Sequence, residues 1–480
     1  MGKTNRKEMP AWAKMGHKKP VTRREFLAHG IIPFAASALV PSALSLFASP
    51  GAFAAENCAS SGASLTLPAF FTLNLAGGAS LAGNYIPRLA SGDLLPSYTK
   101  MGLGNNTGAN ALTGGMVAAE FGHQGLFYSQ SQLLAGIRAQ ANAATLANTA
   151  FVAICVSSRD DSGENKFDIS GSIYQAGLVG SMLPPLGSNS TPTGLNQQAA
   201  QVNPPPPLIV GNVADVTNSI GYTRALTQNG MTARQRQKLA KLVSNLSADQ
   251  SRKLATVPAV SGVTKLIECA GIKNEELILA GNGAVDPVTQ RPELATAWGV
   301  NAGTNGGNQQ RIFATMAYNG LLGSSGPVNL EMGGYDYHDN TRTTGDGRDN
   351  NAGQVIGRLL TSARIMGRKA FIYVTSDGSV TSNEGAAPGG AWVSDRGSNG
   401  SALLFMYDPA GRPATTNMQV GSFTAGQSTD STTFVGSSPA NAGLAAVANY
   451  LKFSGRMDLV DRVLGRTIDA ANLARVIKVG

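Results

Sequence analysis

Asp336 and His338 stand two residues apart in Gly333-Gly334-Tyr335-Asp336-Tyr337-His338-Asp339-Asn340. That spacing puts both side chains on one face of an extended or turning backbone, so both can reach one hard or borderline cation. Two ligands do not complete a site, and other segments also carry residues able to do chemistry. The Gly-rich stretch 76–84 holds Ser80 and Asn84, and 157–168 holds Lys166 and Asp168. Ser376-Asp377-Gly378 and Ser394-Asp395-Arg396-Gly397 contribute two more carboxylates and a guanidinium. Ser129 and Ser131 read as well as helix caps as they do as nucleophiles, so no nucleophile is assigned.

The elements that must position these residues are short apolar runs at 69–75, 150–156, 208–210, 328–332, 370–375 and 402–407, each bounded by Gly, Pro, Ser or Asp. Such runs are expected to be buried strands. Ile356, Leu359, Leu360, Ala363 and Met366 recur at helical spacing between the fourth and fifth runs, and Gly367 supplies a stop. Strand, helix and strand in succession make a βαβ unit, and a similar alternation brackets 131–148. The predicted fold is therefore α/β, a largely parallel sheet with helices on both faces. In such sheets the loops leaving the carboxyl edge converge on a ligand crevice, and the polar segments above lie at those strand ends. Thr232-Ala233-Arg234-Gln235 and Ser247-Ala248-Asp249-Gln250 have the form of capping boxes and predict a helical insertion near 230–256. Its Arg234, Arg236, Lys238 and Lys241 read as a solvated helix surface before a docking face. Leu444, Val447, Ala448 and Leu451 form the stripe of a C-terminal packing helix, with two shorter helical patterns ending near Ile477. The stretches 204–207, 300–310 and 414–438 have loop composition.

At the amino end, Thr22-Arg23-Arg24-Glu25-Phe26-Leu27 follows a basic leader and precedes a moderately apolar stretch broken by Pro33 and Pro41. Paired arginines at that border are the mark of a twin-arginine export signal, and the prolines make a poor permanent membrane helix. Residues 1–54 are expected to be removed after Ala54, leaving 55–480 as one α/β domain in the periplasm or outside the cell, with the twin-arginine translocase as partner during export. The leader carries eight Lys and Arg against two Glu, +6 of the chain's +9, so the mature part is close to +3. The basic balance is thus an address and not a nucleic-acid footprint. Only His123 and His338 remain among the histidines, and Cys58, Cys155 and Cys269 lack the spacing of a zinc cluster. Cys155, inside an apolar run, reads as a small buried hydrophobe, whereas Cys58 and Cys269 are either paired or free.

The ordered segments resemble the twin-arginine-exported, sulfatase-like domain-of-unknown-function family 1501, of the alkaline-phosphatase-like superfamily. Residues 73–87 are similar to its first strand and Gly-Gly-x-Asp-Gly-x-Asn loop, with Asn84 one position late. Residues 157–180 resemble its Ser-His-Phe-Asp region and 333–340 its Gly-Gly-Trp-Asp-Thr-His signature; 375–379 and 395–400 resemble its Ser-Glu-Phe-Gly-Arg and Asp-His-Gly segments. The resemblance implies a sulfatase-like fold and a polar constellation of Asn84, Asp168, Asp336, His338, Asp377 and Asp395. It departs where Ser80 replaces a metal-binding type of Asp, and where Lys166 and Arg396 replace histidines. Two-cation ester hydrolysis needs enough anionic and imidazole ligands for both metals. The departures remove ligands and add two cationic groups that can clamp an anion directly. Two readings follow. The first is an anion-binding or interaction module with an eroded metal site and no cation. The second is a phosphate- or sulfate-ester hydrolase in which Asp336, His338, Asp377 and Asp395 hold one divalent cation of zinc, calcium or magnesium type. The ligand count favours the first.

Replacing both Arg23 and Arg24 by Lys keeps the charge but removes the pair that the translocase reads. Unprocessed precursor is expected to accumulate inside the cell, measured by fractionation and immunoblotting; processing at the normal rate would contradict the signal reading.

Overall fold

The computed structural model describes residues 67–101, 103, 120–121, 127–156, 169–180, 183–188, 207–219, scattered positions between 232 and 252, 285–335, 342–376, 378–379, 381–382, 392–393, 400–416, 418–465 and 468–480. The chain divides into two units, Met1–Phe47 with Gly230–Leu279, and Ala48–Asn229 with Ala280–Gly480. In the first, Thr232 and Gln235 form the expected capping box. The Thr232 amide donates to Gln235 Oε1 at 2.8 Å and the Gln235 amide to Thr232 Oγ1 at 3.3 Å. The second capping box contains Ser247 and Gln250, which lie outside the described residues.

The second unit is built on strands β1 (Ala69–Leu75), β2 (Thr149–Val156), β3 (Leu186–Gly187), β4 (Leu208–Ile209), β5 (Val328–Met332), β6 (Ala370–Ser376), β7 (Thr381–Ser382), β8 (Trp392–Val393), β9 (Gly400–Tyr407) and β10 (Gln419–Val420). Eight of them form one sheet in the order β10-β2-β9-β6-β1-β5-β3-β4, and β7 pairs with β8. Within the large sheet all pairings are parallel except those of β9, which runs against β2 and β6. The six expected strands form, as the α/β reading requires. β3 and β10 were not legible, because each is only two residues held by main-chain bonds beside proline- or Gly/Ser/Thr-rich sequence, where composition says nothing about pairing.

The helices are α1 (Gln132–Gln140), α2 (Ala143–Ala147), α3 (Ser170–Gln175), α4 (Val213–Ser219), α5 (Pro287–Gln290), α6 (Pro292–Ala297), α7 (Gln309–Leu322), α8 (Arg342–Met366), α9 (Ala440–Phe453), α10 (Val460–Val463) and α11 (Ala470–Val476). The helical stretch expected at 131–148 is broken at Ala141, after which the Asn142 side chain caps α2. Phe71, Leu73, Leu75, Ile372 and Val374 pack on α1, α7 and α8, including Val355, Ile356, Leu359, Leu360 and Ala363. Phe70, Phe371 and Tyr373 pack on the other face with Ile173 of α3, Leu444, Val447 and Leu451 of α9, and Val460 of α10. Strand alternation sends successive residues to opposite faces, so both faces are buried. Gly367 closes α8 in the left-handed region, φ +59°. Among the described residues no helix is long and apolar enough to cross a membrane.

The tightest joint on the first face is between α1 and α8. A Cβ at Gly353 would fall onto the Leu133 carbonyl oxygen, and one at Gly136 onto the Asn350 carbonyl oxygen. One turn on, a Cβ at Gly357 would lie 2.7 Å from the Ile137 carbonyl oxygen. The two backbones are therefore in direct apposition, which only glycine permits. Gly347, on the same helix, has open space around it.

These environments separate helix propensity from packing. Gly347→Ala is expected to stabilise by up to ~1 kcal/mol, as in an exposed helix. Gly353→Ala is expected to destabilise by ~1–3 kcal/mol through overpacking. Leu359→Ala and Leu360→Ala, both fully buried, should each cost ~2–5 kcal/mol. Urea unfolding measures all four; equal signs for the two glycine variants would refute the joint.

Candidate functional site

The carboxyl ends of β1, β5 and β6 meet at one edge, where Leu75 is in register with Met332 and with Ser376. β2 ends at the same edge, and because β9 is reversed it begins there, Val156 pairing with Gly400. The described flanks of four polar segments, 157–168, 336–341, 377 and 394–399, thus belong to a single edge of the sheet. Lys166, Asp168, Asp336, His338, Asp377, Asp395 and Arg396 themselves lie outside the described residues, as do Arg23 and Arg24, His123, Cys58 and Cys269. Ser80 and Asn84 are the site residues within them. Among the described residues no group of three or more His, Cys, Asp or Glu side chains could hold a metal ion.

The edge is bound together by short-range bonds. Ser376 Oγ donates to the Leu75 carbonyl at 2.7 Å and accepts from the Ala79 amide at 2.8 Å, so β6 orders the first loop. The Ala76 amide donates to the Met332 carbonyl at 3.0 Å and the Tyr335 amide to the Ala76 carbonyl at 3.1 Å. Gly334, at φ +82°, lies beneath the Arg348 guanidinium. The Tyr335 hydroxyl donates to the Arg348 carbonyl at 2.8 Å, which pins 333–335 onto α8 immediately before Asp336. Burial pushes the Tyr335 phenol above its ordinary pKa, and the negative charge of Asp349 adds to the effect. It stays a neutral donor at physiological pH.

Asn84 ends the single helical turn Leu81–Asn84 and is buried. Its Nδ2 donates to Asp349 Oδ2 at 2.8 Å and to the Ser80 carbonyl at 3.2 Å, and its Oδ1 accepts from Ser131 Oγ at 2.6 Å. Ser131 Oγ in turn accepts from the Leu134 amide at 3.0 Å, the cap of α1 expected from its sequence. One amide thereby joins the first loop, α1 and α8. Ser80 is also buried.

Asp349 was missed by reading the sequence for chemistry. It stands in the polar run Gly345-Asp346-Gly347-Arg348-Asp349-Asn350-Asn351, which looks like a solvated first half of a helix. The available signal was its phase: Asp349, Ala352, Ile356, Leu359 and Ala363 share one helical face, and all are buried. Cys155 is a buried free thiol, as expected, 3.5 Å from the Tyr85 hydroxyl and pushed up to about 12 by burial. It is inert packing, not a nucleophile.

No protein-family model, no curated protein and no solved structure matches the chain.

Asn84→Ala leaves a buried carboxylate oxygen and a hydroxyl without their donor and acceptor, at a cost of ~1–3 kcal/mol. Asp349→Ala should cost a similar amount, and the double variant less than the sum by ~0.5–3 kcal/mol. Additive losses in chemical denaturation would contradict a direct bond.

Proposed function

We propose that the mature chain is carried out of the cytoplasm by the twin-arginine translocase and acts there as an anion-binding or interaction module on a sulfatase-like, alkaline-phosphatase-like frame. The ligand crevice lies at the carboxyl edge of the sheet, with Lys166 and Arg396 as its anion clamp. The observation that carries this reading is the state of the first loop. Where the resembling family has a metal-binding type of Asp, this chain has a buried Ser80, and Asn84 nearby has its amide committed to Ser80, Ser131 and Asp349 inside the fold. A two-cation site would thus lack the contribution of that loop. The shared edge of β1, β2, β5, β6 and β9 favours a single crevice fed by all the polar segments.

Metal analysis and calorimetric titration of the purified mature protein with inorganic phosphate and sulfate test the proposal. An anion is expected to bind after exhaustive chelation, and Lys166→Ala and Arg396→Ala are each expected to weaken it ~10- to 100-fold, the worth of one charge-assisted hydrogen bond. Stoichiometric retention of zinc, calcium or magnesium, with anion affinity lost on chelation and on Asp336→Ala or His338→Ala, would establish the hydrolase-type site instead.

A further inference from the structure

The first turns of α8 stand at the carboxyl edge of the sheet, because the helix follows β5 and leads to the amino end of β6. Asp349 on that stretch is buried and accepts from Asn84, whereas its neighbour Arg348 is exposed. The Arg348 guanidinium nevertheless rests on backbone. A Cβ at Gly334 would lie 3.0 Å from its Cζ, 3.0 Å from Nη2 and 3.3 Å from Nη1. Near-equal distances to three atoms of one planar group mean that its plane faces Gly334 and its N–H edge points sideways. Gly334 thus meets two demands, a left-handed backbone at φ +82° and the absence of a side chain where the guanidinium rests. The Tyr335 hydroxyl, donating to the Arg348 carbonyl, holds 333–335 against the same residue. Burial and then the Asp349 charge raise the Tyr335 phenol, and the Arg348 charge draws it back, which puts the cation within electrostatic reach of that ring.

Arg138, Arg291 and Arg311 each meet a carboxylate. Among the described residues the Arg348 guanidinium makes no hydrogen bond or ion pair, since the carboxylate next to it in the chain is turned to Asn84. A planar, permanently charged fork that is already oriented loses little freedom when an oxyanion meets its edge. Beside it runs an open groove of about 540 Å³, lined by Gln132 of α1 and by Thr343, Gly347, Arg348 and Asn351 of α8. Gly347 leaves open space there, and the hydroxyl and amide groups around it are uncharged donors. Asp346 brings one negative charge to the lining, which fits a ligand with a single compact anionic group better than a polyanion.

We propose that Arg348 and this groove form an oxyanion subsite on the α8 side of the crevice, in which Gly334 presents the guanidinium edge to one phosphate- or sulfate-sized group. Gly334 stands two residues before Asp336, so the subsite adjoins the crevice. The proposal rests on the anion-binding reading of that crevice and adds to it a third cationic residue, supplied by a helix and not by a loop.

Calorimetric titration of the purified mature protein with inorganic phosphate, after chelation, tests it. Arg348→Gln is expected to raise the phosphate Kd ~10- to 100-fold, the worth of one charge-assisted hydrogen bond. Arg348→Lys keeps the charge without the planar fork and should fall between the two. Asn351→Asp adds a carboxylate to the groove and should raise Kd ~3- to 10-fold. Both residues are exposed, so the urea midpoint is expected to stay unchanged in all three variants. Unchanged affinity in Arg348→Gln, alongside weaker binding in Lys166→Ala or Arg396→Ala, would overturn the subsite and keep the crevice reading. Weaker binding in Arg348→Gln with none in those two would remove the Lys166 and Arg396 clamp and keep the subsite. Failure of the unmodified protein to bind phosphate or sulfate would overturn both.

Discussion

Parallel hydrogen bonding of β1 to β6 on one side and to β5 on the other is the constraint on which the site depends. Parallel neighbours point their carboxyl ends the same way, so the chain must leave all three strands at one edge and return by crossovers. The α8 crossover from β5 to β6 straddles β1 and leaves a place between them that the first strand fills. β9, which among the described strands of the large sheet runs against its neighbours, begins at that same edge. That strand ends widely separated in sequence share one edge follows from strand direction alone.

The two faces of that sheet are built to different standards. On the α8 face, glycine apposition brings α1 and α8 backbone to backbone, and the Asn84 amide ties both helices to the first loop. Close packing leaves little room for alternatives there. On the α3 face the same three strands present unpaired hydroxyl and amide groups under a six-residue helix.

Much of the frame is legible in the sequence. Continuous apolar runs such as Ala150–Val156 read as strands buried on both sides, and the Ile356–Leu360–Ala363 stripe with Gly367 behind it reads as a helix and its stop. The capping residue Thr232 was equally plain, and Ser131 was one of two candidates, because a cap is a contact within three residues. The candidate site was legible only as a set of strand-end segments. Asp349 was hidden among polar neighbours, and neither the commitment of Asn84 nor the lack of partners at Thr72 Oγ1, Asn329 Nδ2 and Thr375 Oγ1 has any local mark.

By itself the sequence determined the export signal as an expectation, the α/β class, the main strands and the residue types available for chemistry, all of which depend on composition and short-range periodicity. Tertiary structure decided the strand order, the reversal of β9, the two-residue strands β3 and β10, the α1–α8 glycine joint, and which polar side chains are paired. Each of these is a contact between residues tens to hundreds of positions apart, as in Asn84 with Asp349 or Ser376 with Ala79. Such contacts are set by the closure of the chain around a shared core, and no window of sequence contains both partners.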